Sequence, residues 1–218
     1  VSIGVALGIY TAIRKGSIFD KLTSVISLAL GSIPSFIWVF VLMIFLGWRW
    51  NLVPTLYIYE QPGIFGRIEI LVIPILALII EPISKFIRLV RAEVIEDMQS
   101  EYILLLRAKG LKRKQIIKRH TLKNVAVVVL PEITTTFIYV ITSSFFIEYF
   151  YTINGAANLM LRSIILFGSD TTHVSVDTAV VTAISAFYIT FIVVTALIID
   201  IIWAFLDPRI KITGTKTN

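Results

Sequence analysis

Four long apolar stretches constrain this chain more than any other feature. They cover about residues 22–47, 68–90, 125–147 and 179–206, and residues 1–13 look like the end of a fifth. A membrane-crossing helix needs roughly 20 mostly apolar residues, because lipid cannot satisfy exposed backbone groups. With 57% hydrophobic and only 16% charged residues, the composition excludes an ordinary soluble domain. We predict an all-α integral membrane protein with five transmembrane helices in a single domain, residues 1–218.

Lysine and arginine are distributed very unevenly between the predicted loops. Of the 20 such residues, 17 lie in segments 14–21, 85–123 and 207–218, and the other three are Arg49, Arg67 and Arg162. Inner loops of membrane proteins carry the excess of Lys and Arg. We therefore expect residue 1 outside and the tail inside. The net charge of +6 is a topology signal and not a sign of nucleic-acid binding.

A long basic connection, about residues 91–124, joins the third and fourth long stretches. Gly110 separates two predicted helical segments, about 93–109 and 111–123, because glycine permits a sharp backbone break. The first segment combines carboxylates with an apolar run, and the second is basic. An apolar ridge flanked by charges is typical of a helix that enters a groove on a soluble partner. It is equally typical of a basic helix lying on anionic lipid headgroups.

Several polar residues interrupt the apolar stretches and are candidates for a translocation path. Charged side chains inside a membrane are costly, so they face the bundle interior, a cavity or a partner. The alternative is structural: Glu81 would pair with Lys85 or Arg88, and hydroxyl groups would bond to helix backbone. The candidates are Glu81, Glu132, Thr135, Ser143 and Asp200.

Small residues line one side of the first apolar segment. Gly4, Gly8 and Ala12 recur at every fourth position. This spacing lets two helix backbones approach closely in lipid, so we expect a tight helix contact there.

The residue types for catalysis or metal binding are sparse. The chain has no cysteine, and its two histidines, His120 and His173, fall on opposite sides of the predicted membrane. No glycine-rich phosphate-binding loop with its Lys-Ser/Thr pair occurs in the sequence. We therefore expect no catalytic or metal site, and no cofactor on this chain.

The basic connection also contains sequence motifs that resemble those of a known family. The connection resembles the coupling loop of ABC-transporter permeases of the oligopeptide/dipeptide/nickel branch. The resemblance lies in Arg107-Ala108-Lys109-Gly110-Leu111, followed by Arg119-His120 and Leu122-Lys123-Asn124. Further similar positions follow in family order over nearly the whole chain, and the ending is most similar to the "B" membrane subunit. These positions are Asp20, the run 32–36, Glu148, Gly155, Asp200 and the run 206–209.

The resemblance implies half of a transport pore in the cytoplasmic membrane of a prokaryote. The expected partners are a second related permease, two ATP-binding subunits that hold ATP and magnesium, an extracytoplasmic substrate-binding protein and membrane lipid. The family's first span would precede Val1. The residues expected to contact an ATPase are Leu105, Leu106, Arg107, Ala108, Lys109, Gly110 and Leu111.

Three alternatives to a peptide permease remain open at the level of sequence. The first is a nickel or metal-complex permease of the same family. The second is a secondary transporter or channel that works alone, with ion coupling through Glu81, Glu132 and Asp200. The third is a membrane-anchored scaffold whose basic loop binds anionic lipid.

Overall fold

The computed structural model describes residues 1–57, 63–164 and 176–206. Within these ranges every regular element is a helix, which confirms the all-α prediction for the described part of the chain. Two helices continue as π-helical turns, Met43–Arg49 after α3 and Ile117–Thr121 after α6. The helices are α1 Ser2–Ile13, α2 Ile18–Gly31, α3 Ser35–Leu42, α4 Gly63–Asp97, α5 Glu101–Ala108, α6 Arg113–Ile116, α7 Leu122–Phe150, α8 Ala156–Ile164 and α9 Thr178–Leu206.

Helix α4 organises the bundle, since it packs against α1, α2, α3 and α7. Two apolar clusters lie along it. One surrounds Phe86 and Val90 and includes Ala12 of α1 with Val125 of α7. The other joins Ile70, Ile73 and Ala77 of α4 to Val39 of α3 and to Ile147 and Tyr151 at the end of α7.

Three helical segments are long and apolar enough to cross a membrane: Ile68–Asp97, Arg113–Phe150 and Thr178–Ile202. The number rises to four if the bent α2–α3 pair counts as one span. Helix α1, with 12 residues, is shorter than a full crossing. The chain is thus a multi-pass membrane protein in the described part, while the figure of five spans stays a prediction.

The predicted span 22–47 is a broken helix. Helix α2 ends at Gly31, α3 begins at Ser35, and the two are inclined by 99°. Pro34 immediately precedes α3, where its missing N–H removes no helical hydrogen bond. Trp38 braces the break by donating its ring N–H to the carbonyl of Leu30 at 3.2 Å.

The helix boundaries in the basic connection differ from the prediction. The expected helix 93–109 is interrupted, because α4 ends at Asp97 and α5 begins at Glu101. Ser100 explains the break: its hydroxyl donates to the carbonyl of Asp97 at 2.6 Å and so competes with helix hydrogen bonds. The expected helix 111–123 is not separate either, since α6 runs through the π-helical turn Ile117–Thr121 into α7.

Candidate functional site: the basic end of the bundle and the polar links between α4 and α7

The α1–α2 turn (residues 14–17) and the α4–α7 connection (residues 98–121) meet at one end of the bundle, which we call the basic end. Arg113 of α6 joins them by donating Nη2 to the carbonyl of Ile13 at 3.0 Å. Ile116 and Ile117 are buried beneath it. The connection is therefore packed onto the bundle rather than free in solution.

Helix α5 presents an apolar face at this end. Ile103 is fully buried and anchors the helix, whereas Leu104 and Leu105 are 61% and 57% exposed. Leu106 is half-buried and Arg107 is exposed. The expected contact residue Leu105 is therefore accessible, and Leu104, which sequence reasoning did not single out, is equally so. Exposed leucines beside cations suit contact with another molecule.

Gly110 ends α5 for a backbone reason. Its φ is +81°, a value that L-residues rarely adopt, and a Cβ there would meet no atom within 4 Å. The N–H of Leu111 donates to the carbonyl of Leu106 at 3.2 Å, and the N–H of Gly110 donates to that of Arg107 at 2.9 Å. These two bonds form a Schellman cap. The predicted break at Gly110 is confirmed, and Lys109 and Gly110 are both exposed.

Helix α5 is clamped to α4 and α7 by three side chains. The Tyr102 hydroxyl donates to Asp97 Oδ1 at 2.5 Å. The side-chain amide of Asn124 donates to the same oxygen at 2.7 Å and to the Tyr102 hydroxyl oxygen at 2.9 Å. Burial, together with the hydrogen bond to Asp97, raises the pKa of Tyr102 to about 12, so the hydroxyl keeps its proton at neutral pH.

A second clamp at the basic end was not predicted. Arg91 donates Nε and Nη2 to the two carboxylate oxygens of Asp20, at 2.5 and 2.9 Å. Asp20 also accepts from the N–H of Gly16 at 2.9 Å, and Ser17 accepts from the N–H of Asp20 at 3.2 Å. Ser17 is thus a side-chain N-cap of α2, and its position before the apolar run could have been recognised from the sequence. The partner of Asp20, 71 residues away, could not.

Two polar links join α4 to α7 within the bundle. Glu81 accepts a hydrogen bond from the Tyr139 hydroxyl. Lys85 forms a salt bridge with Glu132, with 2.6 Å between Nζ and Oε1. The expected pairing of Glu81 with Lys85 or Arg88 is therefore wrong, because Lys85 reaches across to α7 and Arg88 donates to the carbonyl of Ser27 at 2.6 Å. Each carboxylate thus has a partner on the neighbouring helix, while a part in the translocation path stays a prediction.

The other polar candidates have different surroundings, and one of them, Ser143, adjoins the Glu81–Tyr139 link. Thr135 lies 3.5 Å from the carbonyl of Pro131 in its own helix, as the backbone alternative expected. Ser143 is buried, and its side chain lies beside the Tyr139 hydroxyl. Asp200 is exposed on α9. Of the two histidines, His120 is half-buried and His173 lies outside the described residues. Among the residues described, no three His, Asp or Glu side chains gather as metal ligands would.

At the opposite end of the bundle, Glu148 of α7 holds the start of α8. Its Oε2 accepts from the backbone N–H groups of Ala157 and Asn158 at 3.0 and 3.3 Å. A carboxylate at a helix N-terminus satisfies free donors and matches the helix dipole. A Cβ on Gly155 would overlap this carboxylate, so a larger residue there would have to displace Glu148 from the start of α8.

Apolar helices with a packed basic connection define a multi-pass integral membrane protein. The family model for the binding-protein-dependent transport system inner membrane component matches residues 4–212, and the chain belongs to this family of transport permeases. The resemblance drawn from residues 107–124 and their companions is confirmed.

Curated relatives carry peptide-transport names. The dipeptide transport system permease protein DppB of Lactococcus lactis is 30% identical over 210 residues, which cover 96% of this chain and 64% of that protein. DppB of Bacillus subtilis is 27% identical over 209 residues, with 96% and 63% covered. The oligopeptide transport system permease protein OppB of Mycobacterium bovis is 27% identical over 226 residues, with 96% and 66% covered. The chain spans less than two thirds of the length of either DppB.

Proposed function

We propose that this chain forms half of the translocation path of a peptide importer and is driven by ATPases that dock at its basic end. The observation that carries the proposal is the exposed apolar face of α5 beside Arg107, on a helix clamped to two long helices. Family membership supports the transport role. The names of the relatives support peptides as the substrate class.

The clamp gives a physical route from a docked partner to the pore. A displacement of α5 acts directly on α4 and α7, because Asp97, Tyr102 and Asn124 join all three helices. The Lys85–Glu132 and Glu81–Tyr139 links continue this connection into the bundle. A partner shifts such an equilibrium only if it binds the two conformations differently. ATP closing two subunits around α5 would supply that difference.

The first test is the composition of the natural assembly. The full-length parent protein would be tagged in its own membrane, solubilised gently and purified. We expect two ATP-binding subunits and a second permease to co-purify. The substrate-binding protein should join them when its ligand is present. A homo-oligomer without ATPases would refute the proposal and favour a transporter or channel that works alone.

A matched pair of glycine substitutions tests the role of α5. Gly110 and Gly16 both have positive φ, +81° and +85°, with no atom within 4 Å of a built Cβ. Valine at either position brings a similar backbone strain, about 1–2 kcal/mol. We expect both variants to lose similar thermal stability, and only Gly110→Val to uncouple ATP hydrolysis from uptake in proteoliposomes. Equal coupling in the two variants would contradict the proposed docking at α5.

A further inference from the structure

A groove at the start of the α6–α7 helix carries an unusually pure positive charge. Its lining includes five permanent cations and one histidine, and no acidic residue. The five cations are all exposed, whereas His120 is half-buried. We call this surface the basic groove. Its main lining residues are Lys112, Lys114, Lys118, Arg119, His120 and Lys123.

Packing on the opposite face holds the basic groove outward. Ile116, Ile117 and Thr121 are buried against the bundle. Arg113 is tied to the end of α1, and Asn124 is tied to Asp97 at the other end of the groove. The cations therefore sit on a helix of defined orientation, so that they form a preorganised surface.

The cations repel one another along this helix. Lys114 and Lys118 are four residues apart, as are Arg119 and Lys123, and like charges at this spacing destabilise a helix. The salt bridges among the described residues are Lys85–Glu132 and Arg91–Asp20. No carboxylate of that part of the chain neutralises the groove. Within the described residues the positive charge of the groove is uncompensated, so the groove is suited to an anionic partner.

The position of the groove relative to the apolar part of α7 indicates which anionic partner it meets. The apolar part of α7 begins at Val125, two residues after Lys123. With a rise of about 1.5 Å per residue, Lys118 lies roughly 10 Å from Val125 along the helix, on the side away from the apolar part. The headgroup layer on each side of a bilayer is about 5–8 Å thick. Long Lys and Arg side chains reach into that layer from slightly below it.

We propose that the basic groove binds anionic phospholipid headgroups of the inner leaflet through their phosphates. The apolar face of α5 and the basic face of α6–α7 then serve different partners, a soluble protein and the membrane. The two alternatives left open for the loop would both apply, each to one half of it. This proposal concerns the chain's own surface and needs neither ATPase coupling nor a peptide substrate.

Lipid titration of the full-length protein, purified with whatever subunits accompany it, tests the proposal. Phosphatidylglycerol or phosphatidylcholine would be added in zwitterionic detergent, and binding followed by the shift in thermal unfolding temperature. We expect phosphatidylglycerol to stabilise the protein, phosphatidylcholine not to, and high salt to abolish the difference. In Lys118→Gln/Arg119→Gln/Lys123→Gln the affinity for phosphatidylglycerol should fall about a hundredfold, at about fivefold for each cation.

The matched control removes the same charge from another part of the same surface. Arg14→Gln/Lys15→Gln/Lys21→Gln alters three exposed cations of the α1–α2 turn and the first turn of α2, none of which lines the basic groove. Because salt screens exposed charges outside a binding site, the affinity should stay within about twofold of wild type. Equal losses in the two triple variants would overturn a specific site. So would a wild type that does not prefer phosphatidylglycerol, or a groove variant that sheds its partner subunits while its lipid affinity stays unchanged.

Two further variants guard against a folding defect. Lys118→Arg/Lys123→Arg keeps the charge and should keep the lipid affinity. The single change Lys118→Gln should weaken it about fivefold. Loss of affinity in the charge-conserving variant would also overturn the proposal, because it would show dependence on side-chain shape instead of charge.

Discussion

Helices α1 and α9 are both strongly apolar, yet they relate to the rest of the chain in opposite ways. Helix α1 buries Gly4, Gly8, Thr11 and Ala12 against its neighbours. In α9 none of the most apolar stretch is buried against the described chain, although this helix is more than twice as long. Its main contacts are with α7 and α8.

The difference shows that apolarity and packing are separate properties in a membrane protein. Lipid is as apolar as leucine, so a hydrophobic surface by itself drives no association between helices. Helix α1 packs because its small residues admit the backbone of α4, with Ile87 O only 2.9 Å from a Cβ built on Gly8. Helix α9 shows Phe187, Ile189 and Val193 outward, each about 60% exposed, as lipid or a second subunit requires.

The largest effect should come from filling the α1–α4 contact. A Cβ on Gly8 would lie 2.8 Å from Val90 Cβ, so Gly8→Leu forces the two helices apart. We expect a loss of about 3 kcal/mol or more in the free energy of unfolding, since backbone has to move. The measurement is thermal or SDS unfolding in detergent. Ala6→Leu, at an exposed position of the same helix, should be neutral, and equal losses would show that α1 tolerates no bulk anywhere.

The next largest effect should come from the clamp between the α1–α2 turn and α4. Asp20→Asn removes the charge that Arg91 binds with two nitrogen atoms, and Asp20 is buried. We expect a loss of about 2 kcal/mol, the usual scale for a hydrogen bond to a charged group. A double-mutant cycle with Arg91→Gln measures the coupling between the two side chains. A coupling near zero would mean that the pair does not hold the turn.

A smaller effect is expected on the α9 side, where Glu148 caps α8. Glu148→Gln weakens the contact with the N–H groups of Ala157 and Asn158 by removing its charge. We expect a loss of about 1 kcal/mol, typical of a helix cap. Hydrogen exchange should speed up in α8 and leave α1 unchanged. Faster exchange in α1 as well would mean that the two sides are not independent.

A pH-dependent effect is expected at Tyr102. Its pKa of about 12 in the folded protein lies above the ordinary value of 10.0, so the folded state favours the protonated hydroxyl. The contribution of Tyr102 is therefore complete below pH 10 and is lost as the pH rises towards 12. The unfolding temperature of the wild type should therefore fall between pH 9 and pH 11, and part of that fall is due to Tyr102. In Tyr102→Phe the fall should be smaller by this part. An identical pH slope in wild type and variant would contradict the assignment.

The smallest effect is expected on α9 itself. Ala186 is exposed, so Ala186→Leu should leave the unfolding of the isolated chain unchanged, in contrast to Gly8→Leu on α1. The same variant in the natural assembly reports whether a second subunit covers this face. A destabilised isolated chain would break the comparison between the two helices.

The break at Gly110 and the small-residue face of α1 were predictable from the sequence, because each depends on residues close together in the chain. The N-cap at Ser17 is a local feature of the same kind, since its hydroxyl accepts from the N–H of Asp20 three residues later. The partners of Glu81, Lys85 and Asp20 could not be predicted from the sequence. Each lies on a helix between 47 and 71 residues away, and several carboxylates and cations were equally plausible by spacing.

The sequence by itself determined that this is a helical membrane protein of the permease family, with a basic connection broken at Gly110. Apolar length and glycine geometry are local properties, so no knowledge of the packing was needed. Only the tertiary structure decided that Lys85 pairs with Glu132, that residues 22–47 break by 99°, and that α5 is clamped through Asp97. These outcomes depend on which side chains meet across helices, and that follows from packing geometry rather than from the order of residues along one helix.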